Sequence, residues 1–195
     1  MTLGHHYNRS RNDGASSGAL PLFYNDGTLT RYDVSTNTAP DWAYWEVEQT
    51  QTFLEFTQAL GERWSFQAIY TYNDYDKSAD LFYLYGAPDP ADETGLVGVA
   101  SRYLAEDQQQ ILDAFVTGSF TLFGRDHDVV VGVNLSDIHL AGESIYSSEW
   151  SGYDDPVGGD WAEGNTPKPA FDISDSDNFT TDIDQTQNSV YFSTR

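Results

Sequence analysis

Two runs of alternating apolar and polar residues, joined by a short turn, are the clearest structural signal in this chain. The runs cover residues 108–122 and 129–141, and the turn between them, 123–127, contains Gly124. Side chains alternate across a β-strand, so each run is apolar on one side and mostly small or polar on the other. The connection suits a hairpin. The pattern fits either half of a soluble sandwich or two strands of a membrane barrel, apolar outside and polar inside.

The same alternation recurs elsewhere in the chain, and long loops separate the pairs of strands. We expect further strands at residues 2–9, 42–57, 64–84 and 187–194, a second tight turn at 59–63, and long loops at 10–41, 86–106 and 147–184. All seven prolines fall in these loops, where no ladder hydrogen bond is lost. One apolar face is expected to carry Leu112, Ala114, Val116, Phe120, Val129, Val131, Val133, Trp64, Phe66 and Tyr70.

The alternation of short turns and long loops favours the barrel. Soluble sandwiches rarely place three loops of about 20 to 40 residues on one edge, whereas outer-membrane barrels routinely do. The fold class expected is all-β, an antiparallel meander of about six strands within a larger transmembrane barrel. The turns at Gly61 and Gly124 would mark the periplasmic end. Six strands are too few to close, since the smallest such barrels have about eight, so we expect the chain to be part of a longer one.

Composition narrows the classes of partner. The net charge is −22, which argues against nucleic acid as a partner. Cysteine is absent, so neither a disulfide framework nor a thiolate site is available. Aromatic residues make up 15% of the chain, as expected for a barrel with aromatic girdles, and no apolar run is long enough for a transmembrane helix.

Several stretches are similar to one known family. Residues 20–27 (LPLFYNDG), 32–44 (YDVSTNTAPDWAY), 83–89 with 93–96, and 120–128 (FTLFGRDHD) resemble the barrel of TonB-dependent siderophore receptors. The ferric-hydroxamate and pyoverdine-type receptors of the bacterial outer membrane are the most similar. The resemblance implies that residues 1–195 are part of a 22-stranded barrel domain, with the plug domain and C-terminal strands outside this chain.

The resemblance also implies a function. A receptor of this family takes up a ferric siderophore, so the chain is expected to have transport activity rather than enzymatic activity. Its partners would be the siderophore, outer-membrane lipid and a TonB-type energy-coupling protein that acts through other parts of the receptor. No cofactor or metal is expected to bind directly, because the siderophore itself holds the iron.

Aromatic residues near the loop ends are the candidate ligand contacts, because aromatic rings stack on flat chelating groups. An alternative for three of the aromatics, Trp42, Tyr44 and Tyr85, is an interfacial girdle at the depth of the lipid headgroups. For Trp150 and Trp161 the alternative is packing within the loop. The candidate ligand-binding residues are Tyr24, Trp42, Tyr85, Tyr103, Trp150 and Trp161.

Other chemistry is less well supported by the sequence. The acidic third loop has the spacing that opens a calcium loop at residues 175–177, but it lacks the glycine and the closing glutamate, which favours a solvated acidic loop. His5 and His6 point to opposite faces of one strand and cannot share a metal. An outer-membrane barrel enzyme would need a serine and a histidine together near the mouth, and the only candidate histidine is His139, on the strand that leads toward Ser144 and Ser147. A soluble carbohydrate-binding sandwich is the remaining alternative.

Overall fold

Six long strands form one antiparallel sheet in the computed structural model, and each strand pairs with its neighbours in sequence. The structure describes residues 1–172, 174 and 178–195, apart from the side chains of 153–155. Sequence order within a single sheet confirms the expected meander and excludes the sandwich. The strands are β1 (Thr2–Asp13), β2 (Tyr44–Ala59), β3 (Trp64–Gly86), β4 (Leu96–Leu122), β5 (Arg125–Val157) and β6 (Phe179–Thr194).

Helical structure is minimal in the described part of the chain. Its one helical element is a single 3₁₀ turn, Trp161–Glu163. None of the described residues form a helix long and apolar enough to cross a membrane.

Both predicted tight turns are present. The β4–β5 connection consists of Phe123 and Gly124, which both have positive φ (53° and 74°), as in the two-residue turns that match the strand twist of hairpins. The β2–β3 turn is closed by the amide of Leu60, which donates to the carbonyl of Trp64 at 2.8 Å. Gly61 in this turn also has positive φ, 105°.

The register places all the predicted apolar positions on one side of the sheet. Directly paired residues share a side, and the row Phe66, Val116, Val131 and Phe192 runs across four strands. We call this side the belt face and the opposite side the polar face. Most of the belt residues are exposed or half-buried, but Val129 is only 7% exposed. Val129 lies in the row Trp64–Gly118–Val129, where the Trp64 ring occupies the space above the glycine.

The strands extend further than the sequence pattern indicates. β4 begins at Leu96, β5 continues to Val157 and β6 begins at Phe179, so two of the long loops shrink, to residues 87–95 (loop 2) and 158–178 (loop 3). The first long loop keeps nearly its expected length and covers residues 14–43 (loop 1). Pro156 lies within β5, contrary to expectation. It sits at the strand end, opposite Val97 and beyond the register shifts near Val99, where the ladder is already irregular.

Two buried clusters join the loops to the sheet, one on each face. The larger cluster lies on the belt-face side, near the end of the sheet that carries the long loops. Phe82 and Leu84 are on this side because each is an even number of residues from Trp64 in β3. Loop residues Tyr32, Trp42 and Phe171 pack against this cluster. The smaller lies on the polar face and joins Ala15 of loop 1 to Ala79, Leu81 and Tyr103. Members of the larger cluster are Phe82, Leu84, Leu96, Ala100, Val157 and Trp161.

Candidate functional site

A row of aromatic residues crosses the polar face near the loop end of the sheet. Strand pairing aligns Trp45 with Ala79, Ala79 with Tyr103, Tyr103 with Ser144, and Ser144 with Phe179. We call these five residues the aromatic row. Ala79 lies between Trp45 and Tyr103 and carries only a methyl group, so a gap separates the two rings. Ala79 itself is fully buried.

The side chain of Lys77 projects toward this gap. Its Nζ lies 4.2 Å from the centroid of the Trp45 ring and 5.6 Å from that of Tyr103. An ammonium over an aromatic face is attracted by the negative potential of the ring, by about 0.5–2 kcal/mol depending on its desolvation. The aromatic row therefore holds a positive charge between two of its rings.

Tyrosines continue the polar face above the row. Tyr146 packs edge-to-face on Tyr103 with ring centroids 6.4 Å apart, and the two hydroxyl oxygens are 3.4 Å apart. The hydrogen bond with Tyr103, together with burial, raises the pKa of Tyr146, so this phenol stays neutral at physiological pH. Tyr85 packs against Tyr83 at 5.8 Å, and its hydroxyl donates to the carbonyl of Gly152.

Of the six candidate ligand contacts, Tyr85 and Tyr103 lie on this polar face. Tyr24 is instead in a small hairpin of loop 1, where its amide donates to the carbonyl of Thr28 at 2.8 Å. The adjacent amide of Asn25 donates to the carbonyl of Pro88, which docks this hairpin on loop 2. The structure therefore groups two of the six residues and separates Tyr24 from them.

Trp42 and Trp150 belong to the packing of loop 3 on the belt-face side. Both rings meet the Phe82 ring edge-to-face, at 6.0 and 5.6 Å. The Nε1 of Trp42 donates to the carbonyl of Thr166 at 2.8 Å, and that of Trp150 donates to the carbonyl of Pro167 at 3.3 Å. These contacts give both tryptophans a packing role in holding loop 3.

Trp161 is 2% exposed, and its ring meets that of Tyr32 edge-to-face at 5.8 Å. Its Nε1 and the hydroxyl of Tyr32 are both buried without a hydrogen-bond partner. Ligand contact at Trp161 remains a prediction and would require the loops to open.

The girdle interpretation does not describe Trp42 or Tyr85, because the first is packed under loop 3 and the second lies on the polar face. Tyr44 does lie on the belt-face side. The guanidinium of Arg11 covers its ring at 4.3 Å, and its hydroxyl hydrogen-bonds Ser78 at 2.7 Å. Its surroundings are therefore charged and polar.

Sequence reasoning missed Trp45, Lys77, Tyr146 and Phe179. Trp45 stands in a strand whose other residues are largely polar, so no apolar face marked it. The available signal was the register of the β2–β3 hairpin, because its turn aligns Trp45 with Ala79. The alignment of Ala79 with Tyr103 comes from the β3–β4 pairing, whose strands are joined by loop 2 and not by a tight turn. Lys77 is also the one lysine or arginine on the polar face of the six described strands.

An ion triad around the buried Asp80 fixes loop 3 to the sheet. Asp80 is fully buried and accepts from Arg102 at 2.7 and 2.9 Å, while Nζ of Lys168 in loop 3 lies 2.6 Å from its second oxygen. Burial acts to raise the pKa of Asp80, but the two cations outweigh it and leave that pKa lowered. Phe171 adds to this attachment, since the Arg102 guanidinium lies 4.6 Å from its ring centroid.

Carboxylates collect on the belt-face side, above the apolar rows. Glu48, Asp76 and Glu106 are directly opposed across three strands. Burial raises the pKa of Asp76, and the neighbouring carboxylates add to that rise. Like charges directly opposed across a sheet are destabilising, and the ion pair of Arg9 with Glu48 at 3.2 Å offsets part of that cost at one end of the row.

His139 forms a second charged group on the same side. Its Nδ1 lies 2.8 Å from Asp184 and 3.8 Å from Asp182. The hydrogen bond to Asp184 is the main cause that raises the pKa of His139. Although the ligand atoms of the three groups lie within 4.8 Å of one another, all three are exposed and the ion pairing accounts for their closeness. His139 and Ser144 lie on opposite faces, so they cannot form a nucleophile pair.

The choice between a solvated acidic loop, which the sequence favours, and a calcium site is untested. Residues 175–177 lie outside the described residues, as do the side chains of Asp154 and Asp155. Asp172, at the edge of this segment, accepts from the amide and hydroxyl of Ser174. The solvated acidic loop therefore stays the prediction, with calcium binding as its alternative. His5 and His6 pair with Thr52 and Gln51 and lie on opposite faces, as expected.

Known proteins match this chain in both sequence and structure, although no family model matches it. It is 34% identical over 201 residues to the ferric-pyoverdine BN7/BN8 receptor of Pseudomonas putida, a match that covers the whole chain and 24% of that receptor. It is 29% identical over 150 residues to the ferripyoverdine receptor of Pseudomonas aeruginosa, covering 75% of the chain and 18% of the receptor. The chain thus spans about a quarter or less of the length of these curated relatives.

Solved structures of the same kind of receptor match the fold of this chain. The ferripyoverdine receptor of the outer membrane of Pseudomonas aeruginosa, bound to ferripyoverdine, matches 99% of the chain and 25% of its own length, with a TM-score of 0.85 and 25% identity. The FpvAI–pyocin S2 complex matches 99% of the chain with a TM-score of 0.83. The matched proteins are receptors rather than enzymes, and the matched region is one antiparallel sheet of a larger barrel. By sequence and by fold, the chain is a segment of the β-barrel of the TonB-dependent siderophore-receptor family.

Proposed function

We propose that this chain supplies six strands and three external loops to an outer-membrane receptor that takes up a ferric pyoverdine-type siderophore. The observation that carries the proposal is the match of 99% of the chain to a receptor bound to ferripyoverdine. Uptake would be driven by a TonB-type coupling protein, which acts through parts of the receptor outside this chain. Neither a resident metal nor a cofactor is part of the proposal.

The belt face supports placement in a membrane. Its apolar rows run from Trp64 to Tyr72 on β3, eight residues apart. At about 3.3 Å per residue this span is about 26 Å along the strand, or about 20 Å across a bilayer at the usual strand tilt. Barrel strands present such an apolar band of about 25 Å to lipid and their polar side to the lumen. The belt face would therefore contact lipid, and the polar face would line the interior.

With the polar face toward the barrel interior, the candidate site becomes a ligand-contact surface. If the polar face lines the interior, the aromatic row and the tyrosines above it lie where a ligand enters between the loops and the lumen. Planar chelating groups stack on such rings, and an aromatic contact contributes about 0.5–1.5 kcal/mol beyond its buried area. We assign ligand contact to Tyr103 and Tyr85 among the predicted residues, together with Trp45 and Tyr146.

The test compares two tyrosines on opposite faces of neighbouring strands. Cells that lack other pyoverdine receptors would express the full-length receptor with Tyr103→Ala or, as the control, Tyr70→Ala on the belt face. Uptake of radioactive iron as ferripyoverdine would be measured at matched receptor levels. We expect Tyr103→Ala to weaken half-saturation about 5-fold, as about 1 kcal/mol implies, and Tyr70→Ala to leave it unchanged. Equal effects of the two substitutions would contradict the assignment.

A further inference from the structure

We propose that Lys77 determines specificity at this site by binding a negatively charged oxygen of the ferric chelate. The inference rests on the proposed function and deepens it. It selects chelates that carry catecholate or carboxylate oxygens, and a net negative charge, over neutral trishydroxamate chelates.

The first support is that Lys77 has no acidic partner. The chain contains 31 acidic residues and only 9 lysines and arginines. Arg102 and Lys168 both bind Asp80, and Arg9 and Arg11 both bind Glu46. Within the described residues no carboxylate lies within ion-pair distance of Lys77, whose charged atoms instead meet two aromatic rings. A half-buried cation without a carboxylate, in so acidic a chain, is available to an external anion.

The second support is the way in which Lys77 is held. Its ammonium lies over the Trp45 ring, and an aromatic face engages only part of the ammonium surface. An ammonium has three N–H donors, and ring contacts on one side leave donors free on the other. Trp45 is 39% exposed, so the pair is open to solvent. The ring thus fixes the direction of the ammonium before any ligand arrives, which reduces the ordering cost of binding.

The third support is the chemistry of the surroundings. Trp45 and Tyr103 flank the ammonium, so a ligand that reaches it is sandwiched near flat aromatic surfaces. A planar group with an anionic oxygen on its edge satisfies both features, since its face stacks on a ring while its oxygen accepts from Nζ. Iron(III) bound by three singly charged hydroxamates is neutral, whereas each catecholate adds a further negative charge. Lys77 therefore distinguishes chelates by their charge, whereas the aromatic rings stack on a planar group whatever its charge.

The test uses the purified full-length receptor in detergent and measures affinity by quenching of tryptophan fluorescence. The variants are Lys77→Met, Lys77→Arg and, as a control with the same change in net charge, Arg125→Met at the opposite end of the sheet. The probes are ferripyoverdine and a neutral ferric trishydroxamate, each at about 50 mM and about 500 mM salt, because screening shortens the range of charge interactions.

Lys77→Met should weaken ferripyoverdine binding about 10-fold or more, a factor that corresponds to about 1.4 kcal/mol. It should also flatten the salt dependence and leave trishydroxamate binding unchanged. Lys77→Arg should restore most of the affinity, and Arg125→Met should match the wild type. If Lys77→Met fails to assemble, as shown by heat-modifiable gel mobility, Lys77→Gln takes its place with the same expectation.

The outcomes separate this inference from the proposed function. A wild-type receptor that binds no ferripyoverdine would refute the proposed function itself. Wild-type binding with unchanged affinity and salt dependence in Lys77→Met would overturn only the role of Lys77. Equal losses in Lys77→Met and Arg125→Met would also overturn it, because general attraction by net charge would then explain the effect. A lower assembled level at unchanged affinity would assign Lys77 to contacts within the receptor, which again contradicts the inference.

Discussion

Substitution of Val133 by arginine tests which face of the sheet meets lipid. Val133 lies in the middle row of the belt face, paired with Ala114 on one side and Val190 on the other. At the bilayer midplane an arginine on the lipid face costs about 2–4 kcal/mol. That cost lowers the folded-to-unfolded ratio by a factor of about 30 to 900, since about 1.4 kcal/mol is tenfold.

The matched control is the adjacent residue, Asn134, whose side chain lies on the polar face. Its direct partner across the β4–β5 ladder is Asp113, so Asn134→Arg places a cation beside a carboxylate. We expect this change to be neutral or slightly stabilising. Both variants of the intact receptor would be folded into lipid vesicles and unfolded in urea, with gel mobility and tryptophan fluorescence as readouts. A cost for Asn134→Arg that equals or exceeds that for Val133→Arg would refute the assignment of faces.

Three further predictions follow from local contacts. Gly118→Val should destabilise the barrel by about 1–3 kcal/mol, because any β-carbon there meets the ring of Trp64; an unchanged urea midpoint would show that the ring moves freely. His139 should titrate above its ordinary pKa of about 6.5, so its ion pair stabilises the fold fully below that pH and is lost as the pH rises through the raised pKa. NMR of the ring should show this shift, and Asp184→Asn should remove most of it. Lys168→Met should release loop 3 and speed its cleavage by chymotrypsin, while Lys168→Arg should not, and equal cleavage rates would argue against the ion triad.

The alternation of apolar and polar residues was enough to predict the part of the sheet near the two tight turns, where the belt lies. Leu112, Val116, Val131 and Phe66 share a face because side chains in a strand alternate strictly, and this holds before any tertiary contact is known. Gly61 and Gly124 mark the turns because positive φ is cheap only for glycine and a few other residues. The acidic composition also argued against nucleic acid as a partner, and this chain has no cysteine to supply a thiolate.

The extent of the strands beyond the belt, toward the long loops, was determined only by the tertiary structure. Beyond the belt apolar and polar residues occur on both faces of a strand, because the loops cover parts of each face, so the period that marks a strand disappears. The backbone ladder nevertheless begins at Leu96 in β4 and continues as far as Val157 in β5. Ladder hydrogen bonds join backbone groups of any residue, and the neighbouring strand, rather than the side-chain pattern, sets where they stop.

The candidate site likewise needed the register and the loops. The aromatics near the loop ends look alike in the sequence, yet Trp42 and Trp150 are taken into the packing of loop 3, while Tyr85 and Tyr103 remain on the polar face. Trp45 meets Lys77 only because the register of the β2–β3 hairpin brings these residues side by side. Sequence determines which face each strand residue can occupy, but pairing between strands and the closure of loops over one face determine which residues meet, because both depend on contacts far apart in the chain.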